Sequence, residues 1–177
     1  MIKIGLLSDT HGYINPRVFD FFSSCDELWH AGDIGTEEVL LELEQFKPLR
    51  AVSGNIDSAR IKTMVPNQQL FTVEKVKVFM THIGGYPGRY ASGIKRILQR
   101  EKPQLFICGH SHITKIIHDP VLNVLHMNPG AAGNHGLHQL ITFIRFDINQ
   151  SSIENLEIME IDRKKLISAN DQPNESV

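Results

Sequence analysis

The stretch Ile2-Lys-Ile-Gly-Leu-Leu-Ser-Asp-Thr-His-Gly12 decides how the rest of the chain is read. Ile2 to Leu7 is a short apolar run, the signature of a strand buried on both faces. It stops at Ser8-Asp9, where the polar Asp-Thr-His-Gly opens a loop. The same grammar then repeats. Asn15-Pro16 reads as an N-cap with proline at the first helical position, and Val18, Phe19 and Phe22 share one helical face. Glu27 to Trp29 forms a second strand that ends at His30-Ala-Gly-Asp33. Thr36 caps a helix with Val39, Leu40 and Leu43 inward and Glu37, Glu38, Glu42 and Glu44 in water; Leu49 to Val52 is a strand ending at Ser53-Gly-Asn55. Strand, polar loop, helix, repeated, predicts an α/β fold with a mainly parallel core sheet.

Further along, Gln69–Val73 and Val76–Thr81 predict a hairpin about Glu74-Lys75, closing at His82-Ile-Gly-Gly85. Ser92–Glu101 predicts a helix with Ile94, Ile97 and Leu98 inward, and Leu105–Cys108 a strand ending at Gly109-His-Ser-His112. Segments 114–118, 121–126, 139–146 and 153–158 alternate as antiparallel strands do. A short closing helix is expected over 162–169, then a polar, disordered tail over 170–177. Residues 1–169 are thus expected to form a single domain.

Composition excludes several classes. A net charge of -2 with neither sign in long runs argues against broad nucleic-acid binding, which needs a basic face. Only two cysteines, Cys25 and Cys108, argue against a disulfide framework and for a reducing compartment. The first apolar run is too short for a signal-peptide core and no stretch could span a bilayer, so a cytoplasmic, membrane-free protein is expected.

Five expected strands end in residues that bind metals: Asp9 and His11, Asp33, Asn55, His82, and His110 with His112. Each follows an apolar run, so all converge on one sheet edge, where open α/β sheets hold their ligands. Singly, each has a plain alternative. Gly-Asp and Gly-Asn are common turns, His82 could cap a strand, and Asp-x-His pairs arise by accident. The conjunction in one order is what favours a metal site.

In these motifs the chain resembles the calcineurin-like metallophosphoesterases, whose pattern runs Asp-x-His, Gly-Asp, Gly-Asn, His, Gly-His-x-His. Here it stands as Asp9-Thr-His11, Gly32-Asp33, Gly54-Asn55, His82 and Gly109-His110-Ser-His112. The likeness spans roughly Lys3 to Phe146, and with Asn128-Pro-Gly130 it is similar to the compact bacterial and archaeal phosphodiesterases of that family. It implies a four-layer α-β-β-α sandwich of two mixed sheets. It also implies two divalent cations, one among Asp9, His11, Asp33 and His112, the other among Asp33, Asn55, His82 and His110, with Asp33 shared. Imidazole, carboxylate and amide donors suit Mn²⁺, Fe²⁺, Zn²⁺ or Ni²⁺ better than Mg²⁺ or Ca²⁺, and Mn²⁺ is the ion expected.

Such a cluster suits phosphate esters because paired cations acidify a shared water and neutralise phosphoryl oxygens, so the expected attack is by hydroxide and no side chain is the nucleophile. Asp33, Asn55 and His82 are the expected catalytic groups through that role. With two cations, two aspartates and one hydroxide, about one positive charge remains, which matches a diester monoanion better than a monoester dianion. One position departs from the family. Many members carry His after the Asn; here Ile56 stands there, followed by Asp57. Isoleucine donates no proton, so general-acid help of roughly 10²–10⁴-fold is expected to be missing or supplied elsewhere. The expected partner is therefore a small phosphate ester with an acidic leaving alcohol; a homo-oligomer is compatible with all of this.

Two rivals stand beside the enzyme. The retromer subunit that resembles this family serves mainly as a binding platform, and a scaffold of that kind should expose an apolar patch. A phosphomonoesterase is the other, which Ile56 disfavours. His30, Asp57, His126, Asn128, Tyr86 and Arg89 are weighed as supporting or cleft residues against plainer turn and surface roles; His118, His135 and His138 are left unassigned.

Overall fold

A computed structural model describes residues 1–163. In chain order, β1 (Ile2–Leu7), α1 (Arg17–Phe22), β2 (Glu27–His30), α2 (Glu37–Phe46), β3 (Leu49–Ala51) and α3 (Ala59–Met64) come first. They are followed by β4 (Gln68–Val73), β5 (Val76–Thr81), β6 (Gly85–Tyr86), β7 (Arg89–Tyr90), α4 (Ile94–Glu101) and β8 (Leu105–Ile107). β9 (Thr114–Asp119), β10 (Val124–Pro129), β11 (Leu140–Asn149) and β12 (Ser152–Asp162) complete the described chain. The expected closing helix and tail fall almost wholly outside the described residues; Asp162 itself ends β12.

Two five-stranded mixed sheets carry the fold, in the orders β12-β11-β1-β2-β3 and β4-β5-β8-β10-β9. β1, β2 and β3 run parallel, as do β5, β8 and β10; β11 pairs antiparallel with both β1 and the edge strand β12, and β4 and β9 are antiparallel edges of the second sheet. Pleating divides each strand between two cores. Ile4, Leu6, Trp29 and Phe146 of the first sheet face Val78, Met80, Leu105 and Ile107 of the second. Residues one step along, Leu7 and Leu28, meet Val18, Phe22, Leu40 and Leu43 of the helices. Gly5 is needed on that face, since a Cβ there would lie 2.7 Å from Leu28 Cδ2 and 2.8 Å from Phe22 Cδ1. On the far side of the second sheet, Phe79 and Phe106 pack under Ile94 and Leu98 of α4. The result is a helix–sheet–sheet–helix sandwich.

Capping follows the sequence at Thr36, whose Oγ1 accepts from Val39 N; α1 starts one residue later than expected, at Arg17 with Pro16 in the cap position, while Asn15 Oδ1 accepts from Arg17 N at 3.0 Å. Some expectations need correcting. α3 was not foreseen; it has six residues and depends on a Ser58 cap that accepts from Ile61 N. The β6–β7 hairpin was likewise unforeseen, at two residues a side. β10 begins at Val124 rather than Val121, because Asp119 Oδ1 accepts from the backbone N–H of Val121 and Leu122 and holds them in a turn. Phe19 and Ile97 are only partly buried: Phe19 meets the Phe46 ring edge-on at 5.1 Å, and Ile97 flanks the α4 core.

Candidate metal centre

The loops after β1, β2, β5 and β8 meet at one edge and are laced to each other by backbone hydrogen bonds. Asp9 N donates to Gly32 O, His11 N to Asp33 O, and Gly109 N to His82 O. Local conformation is unusual there. Asp9, His11, Asp33, His110 and His112 all have φ between 49° and 69°, a region that costs an L-residue of this kind on the order of 1 kcal/mol. Glycines make the crowding tolerable: a Cβ on Gly54 would sit 2.0 Å from Asp33 Oδ1.

Side chains converge into two groups, Asp9 with His11 and His112, and Asp33 with His82 and His110, each with its donor atoms within 4.8 Å of one another. Asp33 lies between them, Oδ2 4.0 Å from His11 Nε2 and Oδ1 3.2 Å from His82 Nε2. Asp9 Oδ2 is satisfied by Ser8 Oγ at 2.6 Å and His110 N at 3.0 Å. Its Oδ1 faces His112 Nε2 at 3.2 Å. Asn55 is exposed and lines a cavity of about 630 Å³ together with His82, Lys62 and Ile83. The backbone N–H of Ile56 donates to Asp33 Oδ1 at 3.1 Å.

Protonation states support a cation here. His82 Nδ1 lies 2.8 Å from Ala31 O and must donate to it, which leaves Nε2 as a lone pair turned to Asp33. Asp9 Oδ1 and His82 Nε2 are buried with no hydrogen-bond partner among the described residues. Buried acceptors facing one another are costly unless positive charge lies between them. The electrostatics agree. Burial opposes charge on both partners, yet the 3.2 Å approach of the His82 ring and the Ile56 N–H hold Asp33 below the usual carboxylate range. Burial works against charge on His82, yet its closeness to Asp33 and the negative charges of Asp9 and Asp33 raise it, the mark of a site that draws in positive charge. Burial lowers His11, outweighing Asp9 and Asp33. The donor set therefore fits divalent cations. Thiols are not part of it: burial pushes Cys25 up to about 11 and Cys108 up to about 12.

The supporting residues now have contacts. His30 is wholly buried, with Nε2 2.9 Å from Thr10 Oγ1 and Nδ1 accepting from Gly32 N at 3.1 Å. Asp57 accepts from Gly35 N at 2.8 Å and Gly54 N at 2.7 Å, so it is the turn carboxylate that its position suggested. Asn128 Nδ2 donates to Gly109 O at 2.7 Å, and its Oδ1 accepts from Gly130 N, joining two loops. His126, Tyr86 and Arg89 line a second cavity of about 330 Å³ that opens on His110 and shares Ile83 with the first. His135 tilts against His11 at 5.7 Å between centroids. His138 touches His112, a contact no spacing in the sequence announces, because it arises where a later loop folds back over the site.

The fold has close relatives among solved structures. Vps29 from Entamoeba histolytica superposes with a TM-score of 0.72 at 16% identity, over 91% of this chain and 99% of that one. A structure described as a novel archaeal phosphodiesterase superposes with a TM-score of 0.68 at 20% identity, over 90% of this chain and 100% of that one. At these identities the likeness is one of fold. In sequence, the chain is 31% identical over 135 residues to a probable metallophosphoesterase of Methanothermobacter thermautotrophicus, covering 72% of this chain and 76% of that protein. Residues 2–151 match the model of the calcineurin-like phosphoesterase superfamily domain. With the fold, the two acid–imidazole groups and these matches in agreement, the chain belongs to the calcineurin-like phosphoesterase superfamily, whose members are metal-dependent hydrolases.

Proposed function

We propose that this chain is a binuclear phosphodiesterase acting on a small diester. One observation carries the reading: two donor groups, Asp9–His11–His112 and Asp33–His82–His110, face one another across Asp33, with Asn55 on the adjoining cavity wall. Divalent cations, Mn²⁺ first, would supply an acidified water and screening of the phosphoryl charge. The side chains do the rest. Asp9 and Asp33 provide fixed negative charge, and Ala31 O orients His82. Cavities on either side of Ile83 offer room for two ester arms, which a diester has and a monoester lacks. Lys62 faces one cavity, and Arg89 and Lys115 the other, so bound anion is favoured in both. Ile56 is 47% exposed and donates no side-chain proton, which favours leaving groups that depart as stable anions.

The test is hydrolysis of bis(4-nitrophenyl) phosphate and 4-nitrophenyl phosphate by metal-stripped protein resupplied with Mn²⁺, Ni²⁺, Zn²⁺ or Mg²⁺. The diester should turn over faster, and Asp33→Asn should lower that rate by about 100-fold or more. No turnover with any cation, or a preference for the monoester, would refute the reading.

A second reading has an observation of its own. Large apolar side chains follow three of the expected ligands, Ile56, Ile83 and Ile113, and Leu137 precedes His138; all four are exposed. A platform for a protein partner would use such exposed apolar groups, and the same assay separates the readings, since a platform need not turn over any ester.

A further inference from the structure

His138 and its neighbours close a ring of contacts around the first donor group. His138 Nε2 lies 3.0 Å from Gly133 O, and a carbonyl can only accept, so the proton is on Nε2 and the neutral ring leaves Nδ1 bare. That Nδ1 is 3.2 Å from His112 Nδ1. Two bare nitrogens would repel at this distance, so His112 donates from Nδ1 and keeps its lone pair on Nε2. His112 Nε2 in turn faces Asp9 Oδ1 at 3.2 Å and His11 Nε2 at 3.2 Å. Gly133 N donates back to Asp9 O at 3.1 Å, which completes the circuit.

We infer that His138 is the positioning residue that fixes the tautomer of His112 and aims its Nε2 at the cation held by Asp9 and His11. This rests on the metal-holding part of the reading above and not on its diester chemistry. The segment bearing His138 is built for the task. Arg163 donates to the carbonyl oxygens of Asn134, Gly136 and His138, clamping it from behind. Gly136, at φ +110°, lies against both rings; a Cβ there would be 2.9 Å from His112 Nδ1 and 3.3 Å from His138 Nδ1. Imidazole ligands elsewhere are oriented by an acceptor on their second nitrogen, and removing it costs roughly 10–100-fold in metal affinity.

Two measurements test this on the full chain. In Zn²⁺-loaded protein labelled with ¹⁵N-histidine, a through-hydrogen-bond ¹⁵N–¹⁵N coupling should join His112 Nδ1 and His138 Nδ1; its absence, with His112 Nδ1–H bonded elsewhere, overturns the proposal. The second is Zn²⁺ titration of the metal-stripped protein. His138→Ala should weaken one of two bound cations by about 10–100-fold and leave the other as in wild type. Asn places an oxygen where His138 Nδ1 stands, whereas Gln reproduces only the donor to Gly133. His138→Asn should therefore restore affinity and His138→Gln should not. If Gln rescues and Asn fails, the residue merely ties its loop to Gly133. If wild type takes two cations and His138→Ala matches it, this inference alone falls; if wild type takes none, the metal-holding reading falls with it.

Discussion

His30 has both ring nitrogens committed to the loops that carry Asp9, His11 and Asp33. Thr10 Oγ1 donates its only proton to Ile34 O at 2.9 Å, so the hydroxyl must accept from His30 Nε2, and Nδ1 must accept from Gly32 N. A proton on Nδ1 would oppose that Gly32 N–H. Burial, the largest influence, then outweighs the nearby carboxylates and lowers the ring from its ordinary 6.5 to about 4. Because the folded value is depressed, the stabilisation is whole above pH 6.5 and is lost as pH falls towards 4. The shift corresponds to about 3 kcal/mol. Urea midpoints should therefore fall steadily between pH 6.5 and 4 in wild type. His30→Gln should start lower at pH 7 and show a flatter slope through that window. An equally steep variant would mean that other groups carry the acid sensitivity. Ile56 gives a second prediction at this scale. Ile56→His should raise turnover of an alkyl diester about tenfold or more while changing a nitrophenyl diester little, measured as kcat/KM. Equal effects on both would show that leaving-group protonation is not what Ile56 withholds.

Strand ends pack loop against loop, and Gly54, in the segment that β3 leads into, leaves no room for a Cβ beside the Asp33 carboxylate that follows β2. Gly54→Ala should displace Asp33, destabilise the protein by about 2 kcal/mol or more, and weaken cation binding; a wild-type melting temperature with full Zn²⁺ uptake would contradict that. Elements of this length also show what the sequence makes legible. β1, β2, β5 and β8 were readable because buried parallel strands are near-continuous apolar runs that stop at their polar loops. The residues expected to hold cations were readable for the same reason, since each directly follows such a run. α3 and the β6–β7 hairpin were not, because six and two residues carry too little periodicity, and neighbours decide them. His138 was hidden in a different way. Its partner His112 is 26 residues distant, and only the fold-back of the 134–138 segment brings them together.

Each donor group draws on both sheets. Asp9, His11 and Asp33 follow strands of the first sheet; His82, His110 and His112 follow strands of the second. A cation in either group therefore joins the two halves of the sandwich, and its loss should be felt by the whole molecule. At a free cation concentration near 100 times Kd the gain is about 2.7 kcal/mol per site. For a chain of this size that is on the order of 5–10 °C in Tm. Chelation that strips both sites should lower the melting temperature by twice that, on the order of 10–20 °C; Mn²⁺ should restore it, and Asp33→Asn should abolish the difference. A calorimetric scan checks this. The most direct test of the account is anomalous diffraction at the manganese edge from crystals grown with Mn²⁺. Two peaks about 3.5–4 Å apart are predicted, with the Asp33 carboxylate between them, His11 and His112 on one and His82 and His110 on the other. No peak at that edge of the sheets, or these side chains turned away from the ions, would contradict it.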